Sequence, residues 1–162
     1  MKVTKLFLMA AVAALALATT GCTKDDDENT VAAQNTALAV AGTYDGTLAM
    51  SVQGQEMGSN DVQIVITAES ANTVTVTLPE ISFGHSPIPA LAVSGVSIST
   101  SDAGSYRLAK DGFDLTVNNV NYVGGELTGT TDGGTLSMTY SVTPGAMPMS
   151  IECSFEGTKN AE

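Results

Sequence analysis

The chain contains no tryptophan, and only 5% of its residues are aromatic. Recognition of sugars by stacking on broad aromatic faces therefore has little support. There is one histidine, His85, and two cysteines, Cys22 and Cys153. A metal centre wants several convergent His, Cys or carboxylate ligands, and none is spaced for it here. The lone imidazole also leaves no base to complete a Ser-His-Asp set or to activate a cysteine nucleophile. Cations are as scarce: Lys and Arg total 6 against 17 Asp and Glu, a net charge of −11. Nucleic acid is an improbable partner, because binding it requires neutralised phosphates. No apolar run reaches the ~20 residues that a membrane-spanning helix needs. No glycine-rich phosphate loop follows a strand into a helix. No cofactor is expected.

What is present begins at the N-terminus. Lys2 and Lys5 precede an apolar run over residues 6–18, followed by Thr19, Thr20, Gly21 and Cys22. A basic start, a short apolar segment and small residues before a cut site make a secretory signal. The cysteine directly after Gly21 sets it apart from an ordinary one. The segment resembles the bacterial lipobox, although Thr19 stands where Leu or Val is usual. The resemblance implies cleavage before Cys22 and acylation of that residue with three chains, since one chain alone anchors only marginally. Residues 1–21 are then signal peptide and 22–39 a lipidated, acidic tether. Lys24, Asp25, Asp26, Asp27 and Glu28 form a charge block, which stays solvated and extended. The block is similar to the acidic export tag of Bacteroidetes-type surface lipoproteins. That likeness implies an outer-membrane lipoprotein facing the cell exterior.

Cleavage leaves 141 of the 162 residues and, with Lys2 and Lys5 gone, a net charge of −13. Residues 40–162 are long enough to bury a core as one domain without staples. The acid is scattered and reads as a solubility device. Once Cys22 is lipidated, Cys153 has no partner for an intrachain disulfide. It shares the apolar side of a strand with Ile151 and Phe155 and reads as a buried small hydrophobe.

From Gly42 onward the apolar residues recur with period 2. Tyr44, Leu48, Met50 and Val52 share one side of a first strand, and residues 53–60 read as a loop. Val62, Ile64 and Ile66 mark a second strand, then Val74, Val76 and Leu78 a third. Residues 79–95 carry Pro79, Pro87 and Pro89 and read as an edge segment or long crossing loop. A short strand follows at 96–100. Lys110, Asp111 and Gly112 read as a tight hairpin turn between Tyr106, Leu108 and Phe113, Leu115, Val117. Asn118 and Asn119 mark a bulge or turn before Val120 and Tyr122. The clearest hairpin runs from 126 to 142 about Asp132 and Gly133. Met147, Met149, Ile151, Cys153 and Phe155 alternate in a last strand. No segment after the signal has helical spacing over two full turns. The domain is expected to be all-β, an antiparallel up-and-down β-barrel of about eight strands.

Four pieces carry a family likeness: 41–48 (Ala-Gly-Thr-Tyr-Asp-Gly-Thr-Leu), 81–84 with 87–89, 134–137, and 147–149 with 155–157. Together they resemble the calycin-like (lipocalin-like) domain of Bacteroidetes-type lipoproteins, over roughly residues 40 to 158. The likeness implies a small β-barrel without catalytic residues. Lipocalins proper carry Gly-x-Trp on the first strand and commonly a disulfide. Here Gly42-Thr43-Tyr44 takes that place and no cysteine pair exists, so the fold transfers more readily than the cavity.

Asp111 and Asp132 are explained as turn residues and Asp114 as an outward strand residue, so a carboxylate pair for hydrolysis is not needed. The expected function is non-catalytic binding of a small apolar ligand in the barrel. Met50, Phe83, His85, Ile88, Met138, Tyr140 and Met149 are the candidate lining or lid residues. The alternative is a solid-cored domain that binds a protein or polysaccharide through its outer surface. An internal cavity of ~300 Å³ or more would favour the first. A filled interior would favour the second. Expected partners are the membrane, through the N-terminal lipid, and an apolar small molecule. Oligomeric state has no mark in the sequence.

Overall fold

A computed structural model describes residues 36–82, 87–101, 104–145 and 147–161. After a helical turn at 36–40, ten strands follow. They are β1 (Gly42–Val52), β2 (Gln55–Ala68), β3 (Thr73–Leu78), β4 (Leu91–Thr100), β5 (Tyr106–Lys110), β6 (Phe113–Val117), β7 (Val120–Gly124), β8 (Leu127–Thr131), β9 (Thr135–Pro144) and β10 (Ile151–Lys159). All pairings are antiparallel. The strands β1-β2-β3-β4-β5-β8-β9-β10 form an eight-membered ring, closed where β10 returns to β1. The all-β, up-and-down barrel expected from the alternation is the fold observed.

Inward positions carry the apolar set and outward ones the polar set, as a barrel wall requires. Tyr44, Leu48 and Met50 on β1 meet Ile64 and Ile66 on β2, and Val74, Val76 and Leu78 on β3. Leu136, Met138, Tyr140 and Val142 on β9 join Ile151, Cys153 and Phe155 on β10. All are buried in one continuous core. The closing seam is tightest at Gly46 and Gly157, which face each other in register. A Cβ at Gly46 would stand 2.1 Å from the Glu156 carbonyl oxygen, and one at Gly157 would stand 2.5 Å from the Phe155 ring. Only glycine lets β1 and β10 approach while Phe155 folds over them.

Three irregularities coil the sheet enough to close. Met57 is an extra residue on β2, since Met50 pairs with Gly58 but Ser51 with Glu56. Ser94 and Gly95 together oppose Thr75, with Gly95 at φ +64°. The Glu69 carboxylate holds this second bulge, accepting the Gly95 N–H at 2.9 Å and the Thr75 hydroxyl. Those bonds, the Thr75 hydroxyl first, lower its pKa. Gly125, Glu126 and Leu127 oppose only Tyr140 and Ser141, which makes the third bulge. Bulges of this kind bend and twist a strand.

Several local expectations are corrected. Lys110, Asp111 and Gly112 do not reverse the chain. The pairing keeps one register from Tyr106↔Thr131 to Val117↔Val120, so β5 and β6 are one strand interrupted at Asp111. The reversal is at Asn118 and Asn119, whose φ values of 52° and 63° are those of a two-residue hairpin turn. Residues 53–60 are not a loop: Gln53 (φ 53°) and Gly54 (φ 78°) turn the chain within two residues. The first half of β2 is exposed on both faces and so lacks the alternation by which strands are read. β4 begins at Leu91 rather than 96, and β10 at Ile151 rather than 147.

The tether ends earlier than expected. Ala37 and Val40 are fully buried, and the helical turn at 36–40 plugs the end of the barrel where β1 starts. The Tyr44 hydroxyl donates to the Val40 carbonyl at 2.8 Å, and Lys159 Nζ to the Ala39 carbonyl at 3.3 Å. The same end carries the Asp132 turn. Asp132 Oδ1 accepts from the Gly134 N–H (2.8 Å), the Thr135 N–H (2.6 Å) and the Thr135 hydroxyl (3.0 Å). These donors, the Thr135 N–H first, lower its carboxyl pKa to about 2. Because the folded value lies below the ordinary ~3.9, the charge stabilises the fold above about pH 4 and ceases to as pH falls through about 2. Asp132→Asn is accordingly expected to lower the melting temperature at neutral pH, with the gap to the parent closing between about pH 4 and 2. A gap that stays constant across that range contradicts the assignment.

Candidate functional site

The inward face at the end of the barrel opposite the plug is built from a cross-strand row. Met50 on β1 pairs with Cys153 on β10, and Cys153 with Tyr140 on β9. The next row toward the plug is Leu48, Phe155 and Met138. Alternation along three neighbouring strands thus brings Met50, Met138 and Tyr140 around Cys153, all at most 5% exposed. Ile88 is also buried in the same core, bridged to Ile81 in the crossing segment between β3 and β4. Met149 is 41% exposed and precedes β10, so it does not line the interior. Phe83, His85 and Cys22 lie outside the described residues.

Among the described residues, the Tyr140 hydroxyl is the one buried side-chain polar atom without a hydrogen-bond partner. Burial raises the phenol's pKa, and the adjacent Cys153 thiol adds to the effect without the alignment of a true bond. Burial likewise pushes the Cys153 thiol up to about 11, so it is a packed thiol and not a thiolate nucleophile. An unpartnered buried hydroxyl costs roughly 1–3 kcal/mol. Tyr140→Phe is therefore expected to leave stability unchanged or raise it by about 1 kcal/mol in denaturant titration. A loss of that size would mean that the hydroxyl has a partner in solution.

The described grooves lie on the outer face. The first, about 570 Å³, crosses β1, β10 and β9. In register order its wall is Ala49, Ser154 and Thr139, then Ser51, Glu152 and Ser141. Small side chains on three adjacent strands leave the trough, and Gly54, Glu56 and Glu126 border it. A second groove, about 700 Å³, runs over Thr130, Ser137, Glu156 and Thr158 nearer the plug. Hydroxyls and carboxylates supply the polar groups of both, beside a somewhat larger share of apolar surface. Sequence reasoning passed over these residues. Outward Ser, Thr and Ala are visible in the alternation, but the adjacency of β1 to β10 is not.

Among the described residues no group of three or more His, Cys, Asp or Glu could hold a metal ion, and no helix is long and apolar enough to cross a membrane. The second statement does not bear on strands.

An antiparallel ring of eight strands around an apolar core defines the class: a small up-and-down β-barrel. The family model of the Calycin-like beta-barrel domain matches residues 40–158, and the chain belongs to that family. A candidate outer membrane protein of Bacteroides fragilis, known from its crystal structure, superposes with a TM-score of 0.65 at 26% identity. The match covers 76% of this chain and 52% of that one, so the chain spans about half its length. A Bacteroides ovatus protein of unknown function gives a TM-score of 0.41 at 15% identity, over 74% of this chain and 41% of that one. A redesigned β-barrel gives 0.40 at 12%, over 78% and 96%. Comparison with curated proteins returns no match.

Proposed function

We propose that the protein is a lipid-anchored, non-catalytic binding protein of the outer membrane that takes its partner on the outer face of β1, β9 and β10. The observation that carries this reading is the division of space in the barrel. The inner face is filled by Tyr44, Leu48, Ile64, Met138 and Phe155, while a trough of about 570 Å³ that bears hydroxyls and carboxylates lies outside. An eight-stranded barrel either fills its interior with side chains or leaves room for one small ligand, and this one has the marks of the first.

The N-terminal motif and the plug support this placement. Acylation at Cys22 would lead the chain into the plugged end, turning the 79–90 segment and the Asn118–Asn119 turn away from the membrane. The likeness to a candidate outer membrane protein supports the compartment, and the acidic block at 24–28 supports the outward-facing leaflet. The trough offers hydroxyls and carboxylates without a lysine or arginine. A protein or polysaccharide rich in hydrogen-bond donors fits it, and an anionic polymer does not.

The test is titration of the protein with neutral, cationic and anionic polysaccharides and polypeptides, followed by NMR. Neutral or cationic members are expected to shift the amides of Ser51, Ser141 and Ser154, and Ser154→Trp, which fills the trough, is expected to cut affinity at least tenfold. Binding that survives Ser154→Trp, or that favours the anionic members, overturns the reading.

A second reading, an apolar ligand inside the barrel, is favoured by the unpartnered Tyr140 hydroxyl among Met50, Met138 and Cys153. A polar-headed small molecule would satisfy that group. Native mass spectrometry of the protein from its own host, showing a retained small molecule that Tyr140→Phe releases, would move the site from the outer wall to the interior.

A further inference from the structure

The wall is not zipped along its whole height. β4 pairs with β5 from Thr100↔Tyr106 to Ser97↔Ala109, and there the ladder stops. Beyond it β6 lies against the first half of β4, but no pairing joins the two among the described strands. Carried past Ser97, the same register sets Gly95 opposite Asp111, Val93 opposite Phe113 and Leu91 opposite Leu115. The Gly95 bulge (φ +64°) and the interruption at Asp111 thus fall at one level. Both strands bend there, away from the ladder they share. The result is a slit between β4 and β6.

Leu91 and Val93 on one lip are buried, as is Phe113 on the other, and Leu115 packs half-buried against the same core. The Phe113 ring lies over Gly124, where a Cβ would stand 2.0 Å from it. Gly124 pairs with Val142, the next inward residue of β9 after Tyr140. Phe113 therefore reaches from the slit across β7 toward the row that holds the unpartnered Tyr140 hydroxyl. Parting any two neighbours of the eight-strand ring breaks a ladder of four pairs or more. Parting β4 from β6 breaks none.

We infer that the slit between β4 and β6 is the entry to an interior site, where Phe113 gives way to a neutral small molecule whose one hydrogen-bond acceptor takes the Tyr140 hydroxyl. The inference rests on the second reading above, of a ligand inside the barrel, and adds its route and its chemistry. Burial keeps the phenol protonated, so it donates and the ligand must accept. Among the described residues the buried set contains no charged side chain. An ionised head would therefore lose its hydration without a counter-charge. The displaced ring sets the size, since an apolar cavity of about 150 Å³ takes one benzene. With Phe113 in place the interior is filled, and the rarity of the open state reduces the apparent affinity.

NMR titration of the full chain with acetophenone, ethylbenzene and benzoate tests it, with each variant's β-sheet content checked by circular dichroism. Acetophenone and ethylbenzene share a shape and differ in the acceptor; benzoate adds the charge and is expected not to bind. Tyr140→Phe is expected to cut acetophenone affinity about tenfold and leave ethylbenzene unchanged. Phe113→Ala, and Phe113→Leu should the first not fold, are expected to raise affinity for both rings at least about fivefold, because the open state is prepaid. Relaxation dispersion in the presence of acetophenone is expected to place the exchange at Leu91 to Val93 and along β6. Acetophenone affinity indifferent to Tyr140→Phe, or Phe113 variants that bind no better than the parent, overturns the inference. Exchange at the plug or at the β1–β10 seam, with the Tyr140 dependence intact, overturns the slit as the route and leaves the interior reading standing. If neither the parent nor the Phe113 variants bind a ring, the inference falls, whatever native mass spectrometry retains.

Discussion

The pairing of β1 with β10 is the constraint on which the rest of the molecule depends. It joins Tyr44 to Lys159 at one end and Val52 to Ile151 at the other, the first and last strands of the domain. Without it the sheet would have two long edges and an apolar face open to water. With it, each inward side chain acquires neighbours across the barrel as well as along the wall. Closing so long a stretch of chain costs entropy before any contact repays it. The closure is therefore a property of the whole ring and not of one hairpin. Gly46 and Gly157 let the two backbones meet, and Phe155 fills the space that the missing side chain of Gly157 leaves. The plug at 36–40 rests on the same seam, through Tyr44 on β1 and Lys159 on β10.

Closure also decides where chemistry is available. Side chains drawn inside by the period-2 pattern fill the ring, and among the described residues the single polar dissonance there is the Tyr140 hydroxyl beside Cys153. The outward positions of β1, β10 and β9 are small or acidic, and only because these three strands lie side by side do their residues make a trough. The same wall is thus solid on one side and contoured on the other. A binding role on the outside asks nothing of the core beyond rigidity.

The fold was largely legible in the sequence, because alternation is a local signal and a barrel wall is built from it. Leu136, Met138, Tyr140 and Val142 alternate with Thr135, Ser137, Thr139 and Ser141, and the strand is where that pattern puts it. The misreadings share a cause: local chemistry was taken at face value where distant pairing decides. Asp111-Gly112 looks like a hairpin turn, yet β8 pairs across from β5 and carries the strand straight through. Residues 53–60 look like a loop because neither face is buried, yet β1 holds those from 55 onward by backbone bonds. Ala37 and Val40 look like tether because their burial depends on residues far along the chain. Met149 continues the alternation of β10 by sequence but has no strand partner.

The candidate site was only half legible. Met50, Met138 and Tyr140 were recognisable as inward residues, and they are buried on the three adjacent strands β1, β9 and β10. The outer trough was invisible, since it exists only once β10 lies against β1. The most direct measurement is native-state hydrogen exchange resolved to single amides. If the β1–β10 pairing closes the ring, amides from Leu48 to Met50 and from Cys153 to Phe155 exchange only through global unfolding, as slowly as the best protected of β9. Exchange of β10 through a cheaper opening of its own, with β2 to β5 still protected, would contradict a barrel held together at that seam.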